Sequence, residues 1–232
     1  MAPDALPGPT FMQSLLAPER EALLATGRAR RWEATEMLVR RGDRADSAIV
    51  LLAGLVKIHT SVEGAEVLLG LSGPGDLLGE TTAPARDALR SATATALEPV
   101  DGVVVSVPSL RAFLAAHPRA TLALLDLALK RLHVADARRM EFATSESLAR
   151  VAGRLVELAE RFGAERPDGG LDVALPITQE ELASWSASSK ESTARALRTL
   201  RQLRLIATYR RGLTVLDLDG LRSHMPRLGP HS

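Results

Sequence analysis

Cysteine is absent from the 232 residues, which excludes disulfide bonds, thiolate metal sites, cysteine-ligated iron–sulfur clusters and cysteine nucleophiles. Long apolar runs are absent too, since stretches such as Ala48–Ala53 and Gly102–Val107 have the length of a strand and are far too short to span a bilayer. The first ten residues contain Asp4 and no basic start, so we expect no secretory signal there. These absences predict a cytoplasmic protein without a membrane partner.

The residues that are present have the balance of a folded protein. Hydrophobic residues make up 46% of the chain and charged residues 25%, which excludes disorder over most of its length. The length suits one large domain or two small ones, with enough chain to bury a core without covalent cross-links.

The net charge of +1 conceals a strong asymmetry. The segment Leu182–Arg211 holds seven lysines and arginines against the single acidic residue Glu191, so it carries +6 while the rest of the chain carries −5. A local basic block on a nearly neutral protein is typical of a nucleic-acid-binding module. The alternative is a solvated arginine-rich helix in a chain whose composition favours arginine, with 26 arginines and 3 lysines.

Short β-rich runs dominate residues 28–107, after a proline-rich tail at residues 1–10 and a short helix predicted over residues 11–27. Glycine-bearing turns separate the runs, and the spacing leaves no room for crossover helices. The pattern therefore predicts an antiparallel sandwich or barrel. The six predicted strands are Glu36–Val39, Ser47–Leu52, Leu55–Thr60, Glu66–Leu71, Ser91–Leu97 and Val103–Val107.

Helical periodicity follows these strands. Helices are predicted over Ser109–Ala116, from Pro118 to about Phe142, and over residues 146–163. A polar loop, Ala164–Gly170, comes after the third helix.

The second of these helices carries a heptad stripe, the pattern of two helices packed side by side. The stripe consists of Leu122, Leu125, Leu129 and Leu132, and it continues through Asp136 to Met140. Two interpretations remain open: the stripe covers the β-domain of its own chain, or it forms a homodimer coiled coil. The helix is about 37 Å long, which is more than a small domain needs and favours the homodimer.

A short helix, a turn and a longer helix follow near the C-terminus. Thr178 is an N-cap, and Glu181 three residues later completes a capping box, so the first helix is predicted over Gln179–Trp185. Ser189 caps the second, predicted over Lys190–Gln202. This arrangement is a helix-turn-helix, in which the first residues of the second helix meet base edges in the major groove of DNA.

The side chains at the start of the second helix suit that role. Lys190 and Arg195 can donate to guanine, and Glu191 can accept from cytosine. The short hydroxyls of Ser189, Ser192 and Thr178 suit phosphates.

A hairpin is predicted behind the second helix. Its strands are Leu203–Tyr209 and Leu213–Leu218, with Arg210 and Arg211 at the tip, near the DNA backbone. The hairpin makes the module a winged helix-turn-helix. The alternative is a purely structural helical hairpin, which usually lacks both a wing and a basic bias.

The sequence of this module resembles that of the Crp–Fnr family of bacterial transcription regulators. The matching residues are Thr178-Gln-Glu-Glu-Leu-Ala, then Ser189-Lys-Glu-Ser, then Arg195 and Leu197. The resemblance implies that Lys190, Glu191 and Arg195 read bases and that Thr178 and Glu180 lie near phosphates. Two departures stand out: Lys190 replaces the family's usual arginine and loses its bidentate fork, and Ser186–Ala187 replaces an apolar–glycine pair in the turn.

The resemblance extends upstream to the family's cyclic-nucleotide-binding β-roll. Gly79-Glu80, followed ten residues later by Arg90-Ser91, matches its phosphate-binding cassette. Backbone N–H groups after a glycine suit a phosphate, and Arg90 offers it a charge-assisted fork. Glu80 is an acceptor that suits a ribose hydroxyl. The alternative is that Glu80 and Arg90 only form an ion pair that closes a loop.

The base-contacting end departs from the family. Members that bind cyclic AMP carry Thr-Ser on the long helix, where this chain has Ala135-Asp136. A carboxylate accepts only, and guanine offers two adjacent donors, so a guanine nucleotide is one hypothesis for the ligand. The other interpretation is that Asp136 pairs with Arg139 or Lys130, or sets the register of a dimer.

The predicted fold class is α+β: an N-terminal cyclic-nucleotide-binding-like β-roll, a long dimerisation helix and a C-terminal winged helix-turn-helix. Expected boundaries are residues 1–10 for the tail, 11–117 for the β-roll, 118–145 for the dimerisation helix and hinge, and 146–232 for the DNA-binding domain.

The predicted function is a ligand-responsive transcription regulator that acts as a homodimer on a pseudo-palindromic operator. Double-stranded DNA, a small-molecule effector and RNA polymerase are its expected partners; the Ala164–Gly170 loop has the position of a polymerase-contacting loop in the family. The possible cyclic nucleotide is unidentified, and no covalent cofactor, metal site or catalytic residue is expected. His59 and His133 are isolated histidines that do not favour haem. The alternatives are a nucleotide-binding module without DNA activity and a ligand-independent regulator with a vestigial cassette.

Overall fold

The computed structural model describes residues 8–80, 88–174, 177–210 and 212–226. They fall into two compact units, Gly8–Leu132 and the described residues from His133 onward. Arg211, predicted at the wing tip, lies outside the described residues, as does the tail up to residue 7.

The first unit is built around two antiparallel sheets of four strands, with orders β1-β8-β3-β6 and β2-β7-β4-β5. The strands are β1 (Arg28–Trp32), β2 (Met37–Val39), β3 (Ser47–Ala53), β4 (Val56–Val62), β5 (Ala65–Ser72), β6 (Leu77–Leu78), β7 (Thr93–Ala96) and β8 (Val100–Ser106). The predicted antiparallel β-domain is therefore present, with each predicted strand found within a few residues of its expected bounds.

Two apolar clusters hold this unit together, one on each side of the first sheet. In β3, Ile49 and Leu51 join the cluster around Trp32 between the sheets, while Ala48 and Val50 join the cluster beneath the helices. Side chains alternate along a strand, so a strand buried on both faces needs a continuous apolar run. This explains the unbroken apolar sequence of β3.

The helices of the first unit correct one prediction. The helix expected over residues 11–27 is two helices, α1 (Phe11–Ser14) and α2 (Ala17–Ala25), because the backbone is extended at Leu15 and Leu16. Pro18 lies in the first turn of α2, where its missing N–H is tolerated.

The next two helices are α3 (Val107–Ala116) and α4 (Pro118–Thr144). Among the described residues, no single helix has both the length and the apolar composition to cross a membrane. The pair α3 and α4 reaches them only when counted together, and the two helices are bent 116° apart.

The second unit contains the predicted helix-turn-helix. Its elements are α5 (Ser147–Phe162), β9 (Ala164–Glu165), β10 (Leu171–Val173), α6 (Gln179–Trp185), α7 (Lys190–Gln202), β11 (Ile206–Tyr209), β12 (Gly212–Val215) and α8 (Leu218–Ser223). The bounds of α6 and α7 are those predicted from their caps, and β11 and β12 form the predicted hairpin.

The prediction of a loop over Ala164–Gly170 is wrong for its first two residues. Ala164 and Glu165 form β9, which pairs with β10 and extends the wing sheet to the order β11-β12-β10-β9. Only residues 166–170 form the turn, where the N–H of Arg166 donates to the carbonyl of Gly170. Leu218, predicted to end the wing, instead begins α8, which Asp217 caps.

Candidate nucleic-acid interface and effector site

The three side chains expected to read bases lie together on the exposed side of α7. Lys190, Glu191 and Arg195 are exposed, whereas the opposite side of the helix is buried. The buried residues are Thr193, Ala196, Leu197 and Leu200. The apolar side therefore fixes the helix to its unit and leaves the polar side available to a partner.

Glu180 contacts one of the candidate base readers, and its expected place near a phosphate stays a prediction. The Nζ of Lys190 donates to Oε2 of Glu180 at 3.0 Å, and both side chains are largely exposed. Exposed ion pairs contribute little, so a stronger partner can replace this one. Glu180 also brings negative charge to the surface that is predicted to face phosphates.

The hydroxyls expected at phosphates already cap the two helices. Thr178 Oγ1 accepts from the N–H of Glu181 and donates to its carboxylate, and Ser189 Oγ accepts from the N–H of Ser192. Hydrogen bonds from its own N–H and from Ser189 lower the pKa of Glu191, which keeps that carboxylate ionised. These residues orient the helix starts, and their role as DNA contacts stays a prediction.

The wing is fixed to the sheet behind it. Tyr209 donates from its hydroxyl to Asp172 at 3.0 Å, and Thr214 donates to the same carboxylate. A side chain at Gly212 would overlap the Tyr209 ring, so the glycine is required for this packing. Arg210, predicted at the wing tip, is exposed at the end of β11.

A largely buried charge network packs against the helix-turn-helix, and sequence reasoning missed it. Arg154 of α5 pairs with Glu141 of α4 and with Glu157, which also pairs with Arg138. The guanidinium groups of Arg138 and Arg154 lie 5.7 and 5.9 Å from the ring of Trp185 in α6. Burial lowers the pKa of Arg138, which the neighbouring Glu157 opposes.

The cassette residues of the first unit are brought to one place by the backbone. Gly79 has a φ of +80°, and a Cβ there would lie 2.3 Å from Nη1 of Arg90. Only glycine allows the chain to pass this close to the guanidinium. Residues 81–87, between the two halves of the cassette, lie outside the described residues.

Both charged cassette residues are buried and have protein partners. Arg90 donates to the carbonyl of Ser47 at 2.7 Å, and burial lowers its pKa, which Asp46, Asp43 and Glu80 oppose in that order. Glu80 pairs with Arg131 of α4, and Arg131 also donates to the carbonyl of Leu77.

Within the described residues, Glu80 and Arg90 therefore do not form the loop-closing ion pair that is the alternative to a ligand site. A guanidinium beside a tight glycine and a carboxylate suit the phosphate and hydroxyl of a nucleotide. Ser91 is exposed next to them. Sequence reasoning missed Arg131 because its partner lies 51 residues away.

Asp136 makes the local contact that competes with the guanine hypothesis. It accepts from Arg139 three residues later, at 3.3 Å, and its side chain is 52% exposed. Asp136 and the cassette belong to different units. A role for Asp136 in ligand selection stays a prediction.

The four leucines of the heptad stripe on α4, called the leucine seam below, are exposed, from 44% for Leu129 to 63% for Leu122. A different side of the helix covers the β-domain of the same chain, through Ala120, Ala123, Leu124 and Leu127. The interpretation that the leucine stripe serves its own β-domain is therefore wrong. The stripe remains an unpartnered apolar face within the described chain.

Comparisons with known proteins identify two domain families in the chain. Residues 29–117 match the cyclic nucleotide-binding domain family, and residues 149–224 match the Crp-like helix-turn-helix domain family. The chain is 31% identical to a CRP-like cAMP-activated global transcriptional regulator of Mycobacterium tuberculosis over 157 residues, covering 67% of this chain and 69% of that protein. It is 25% identical to the cAMP-activated global transcriptional regulator CRP of Pasteurella multocida, covering 85% of this chain and 94% of that protein.

The fold agrees as well. The structure of FixK2 from Bradyrhizobium japonicum superposes with a TM-score of 0.75 at 16% identity, covering 88% of this chain and 99% of that one. The expected fold class and family resemblance are confirmed. The chain belongs to the Crp-like family of transcription regulators, which are DNA-binding proteins rather than enzymes.

Proposed function

We propose that this regulator binds a pseudo-palindromic operator as a homodimer and that a cyclic nucleotide controls its affinity for DNA. The observation that carries the proposal is the exposed start of α7, where Lys190, Glu191 and Arg195 stand on a helix fixed by its buried side. Arg210 of the wing adds positive charge for the DNA backbone.

The exposed leucine seam of α4 supports the dimer. Four leucines at heptad spacing, all at least 44% exposed, form a stripe that a second copy of the helix would bury. A two-fold dimer places its recognition helices in successive major grooves, about 34 Å apart, which requires two half-sites in inverted orientation.

The buried cassette supports control by a nucleotide. A nucleotide bound there would offer its phosphate to Arg90 and a hydroxyl to Glu80, and it would compete with Arg131 for that carboxylate. Since Arg131 belongs to α4, this competition would link ligand binding to the long helix. Both relatives compared above are cAMP-activated by name. We also propose that the protein acts in the cytoplasm, with DNA and RNA polymerase as its partners.

A second candidate follows from the same ion pair. If Arg131 holds Glu80 permanently, the cassette is a structural remnant and the protein regulates transcription without a nucleotide.

The experiment that separates these functions is selection from a randomised duplex pool, with and without a panel of cyclic nucleotides, at two salt concentrations. Enrichment of a palindrome with one nucleotide only would support ligand control and identify the ligand. Enrichment without any nucleotide would support the second candidate. No enrichment under any condition would contradict both and favour a nucleotide-binding module without DNA activity.

A further inference from the structure

One buried arginine outside the proposed DNA surface contacts the turn of the helix-turn-helix. Arg150 lies in the first turns of α5 and is 9% exposed. Its Nε donates to the carbonyl of Ser186 at 2.9 Å, and its Nη2 donates to the carbonyl of Ala187 at 3.0 Å. Nη2 also lies 3.3 Å from Oγ of Ser188. One guanidinium therefore contacts three of the four residues that link α6 to α7.

The turn that Arg150 holds is strained. Ala187 has a φ of +47°, in the left-handed region where a Cβ is unfavourable and glycine is the usual residue. The backbone N–H groups of Ala187 and Ser188 donate within the turn, to Ser184 and Ala183. The carbonyls of Ser186 and Ala187 accept hydrogen bonds from Arg150, and the Ser186 carbonyl also accepts from the hydroxyl of Ser188 at 3.1 Å.

The same guanidinium also contacts the chain where the long helix ends. Its Nη1 donates to the carbonyl of Ser145, the residue that follows α4, and its Nη2 lies 3.4 Å from Oγ of Ser147. An arginine offers five donors in a rigid fork, so one side chain can hold two chain segments in a fixed relation. A lysine, with a single nitrogen, lacks this geometry.

We propose that Arg150 is a positioning residue for DNA recognition. It keeps the strained turn at Ala187 in the conformation that directs α7, and it ties this turn to the end of α4. Arg150 is buried, so it acts through α7 rather than by touching DNA. The inference rests on the proposed function, since it assigns a role within operator recognition.

The test compares Arg150→Gln, Arg150→Lys, Ala187→Gly and the Arg150→Gln/Ala187→Gly double variant. Arg222→Gln is the matched control, because Arg222 belongs to the same unit but pairs with Glu160 and Asp219 instead of the turn. Two readouts are needed at a temperature where every variant is folded. One is amide hydrogen exchange of the 183–192 segment, and the other is affinity for the selected operator and for a scrambled duplex.

In Arg150→Gln, we expect faster exchange in the turn and operator affinity at least ~10-fold lower. Affinity for the scrambled duplex should stay within about twofold and the salt dependence should not change, because no phosphate contact is lost. The operator affinity of Arg150→Lys should lie between those of the original protein and Arg150→Gln. Ala187→Gly should restore most of the operator affinity of Arg150→Gln, because glycine adopts the turn conformation without support.

Three results would overturn the proposal. Unchanged exchange and unchanged operator affinity in Arg150→Gln would show that the contacts do not position α7. A fall in salt dependence would show that Arg150 itself contacts phosphate, and failure of Ala187→Gly to rescue would show that turn strain is not what Arg150 opposes. If the unaltered protein binds no duplex, the proposed function fails and the role in recognition fails with it, whatever the exchange data show.

Discussion

The two units present their charged side chains in opposite ways. In the unit formed by Gly8–Leu132, the cassette residues Glu80 and Arg90 are buried and held by protein partners. On α7 in the other unit, Lys190 and Arg195 are exposed, and the ion pair between Lys190 and Glu180 is a surface pair. A surface that binds DNA needs only exposed side chains. A ligand of the cassette must instead replace contacts that Glu80 and Arg90 already make within the protein.

This difference has a mechanistic consequence. A buried charge is costly to leave unpaired, so a nucleotide that displaces Arg131 must supply a new partner to Glu80, whereas the side chain of Arg131 is 39% exposed and can be solvated. Surface charges on α7 exchange one partner for another at little cost. Control of the protein is therefore expected at the cassette, and sequence discrimination at α7.

The largest expected effect comes from the exposed seam of the first unit. Leu125→Lys places a charge on a side chain that is 53% exposed in the single chain, so the fold should tolerate it. If the leucine stripe is the dimer interface, the two protomers of this variant no longer bind the two half-sites as one dimer. Operator affinity then falls by about 10²–10⁴-fold.

Analytical ultracentrifugation and operator titration check this prediction together. Leu52→Lys is the control, since Leu52 is 46% exposed in the same unit and lies outside the seam. A variant at Leu125 that stays dimeric would show that the seam does not mediate the dimer.

Removal of the buried cassette arginine should have the next largest effect. Arg90→Met should weaken cyclic nucleotide binding by about 2–5 kcal/mol, because it removes a desolvated charge partner of the phosphate. Calorimetric titration measures it, with Arg44→Met as the control for loss of an exposed arginine in the same unit. Equal nucleotide affinity in Arg90→Met and the original protein would favour the vestigial cassette.

A smaller effect is expected at the exposed recognition helix. Arg195→Ala should cost about 1–3 kcal/mol in discrimination between the operator and a duplex altered at the contacted base pair. Nucleotide affinity should not change. Arg210→Ala serves as the contrast, since a phosphate contact in the wing should weaken binding to all duplexes and reduce the salt slope by about 0.9. If Arg210→Ala lost discrimination and Arg195→Ala weakened binding to all duplexes, the wing would read bases and the helix would contact phosphates.

The smallest effect is expected at the surface ion pair. Glu180→Gln removes a negative charge that faces Lys190 at 3.0 Å and would face phosphate in a complex. Affinity for non-specific duplex should therefore rise, by an amount corresponding to about 0.2–1 kcal/mol. Fluorescence anisotropy at low salt measures this change, and Glu165→Gln in β9 controls for net charge. A fall in affinity would instead indicate that Glu180 holds Lys190 in its DNA-binding orientation.

Local signals made the helix-turn-helix predictable from sequence. Thr178 with Glu181, and Ser189 alone, mark the starts of α6 and α7, and the structure contains these same caps. Capping depends on residues three apart, so the sequence contains all the information needed. The cassette was predicted from its resemblance to the family's short motif, which is recognisable because Gly79, Glu80 and Arg90 lie close together in the chain.

Features set by distant partners could not be predicted. The strand β1, Arg28–Trp32, has four exposed residues and no alternation, and it exists because it pairs with β8 about 70 residues later. Arg131 and Arg150 likewise owe their roles to partners 51 and 36 residues away. No local pattern distinguishes them from the many other arginines of this chain.

The most direct test of the account is a titration of the selected operator against a duplex with scrambled half-sites, under the nucleotide condition that gave enrichment. We expect one dimer to bind the operator at least ~10³-fold more tightly than the scrambled duplex. Equal affinity for the two duplexes would contradict the claim that α7 reads DNA sequence.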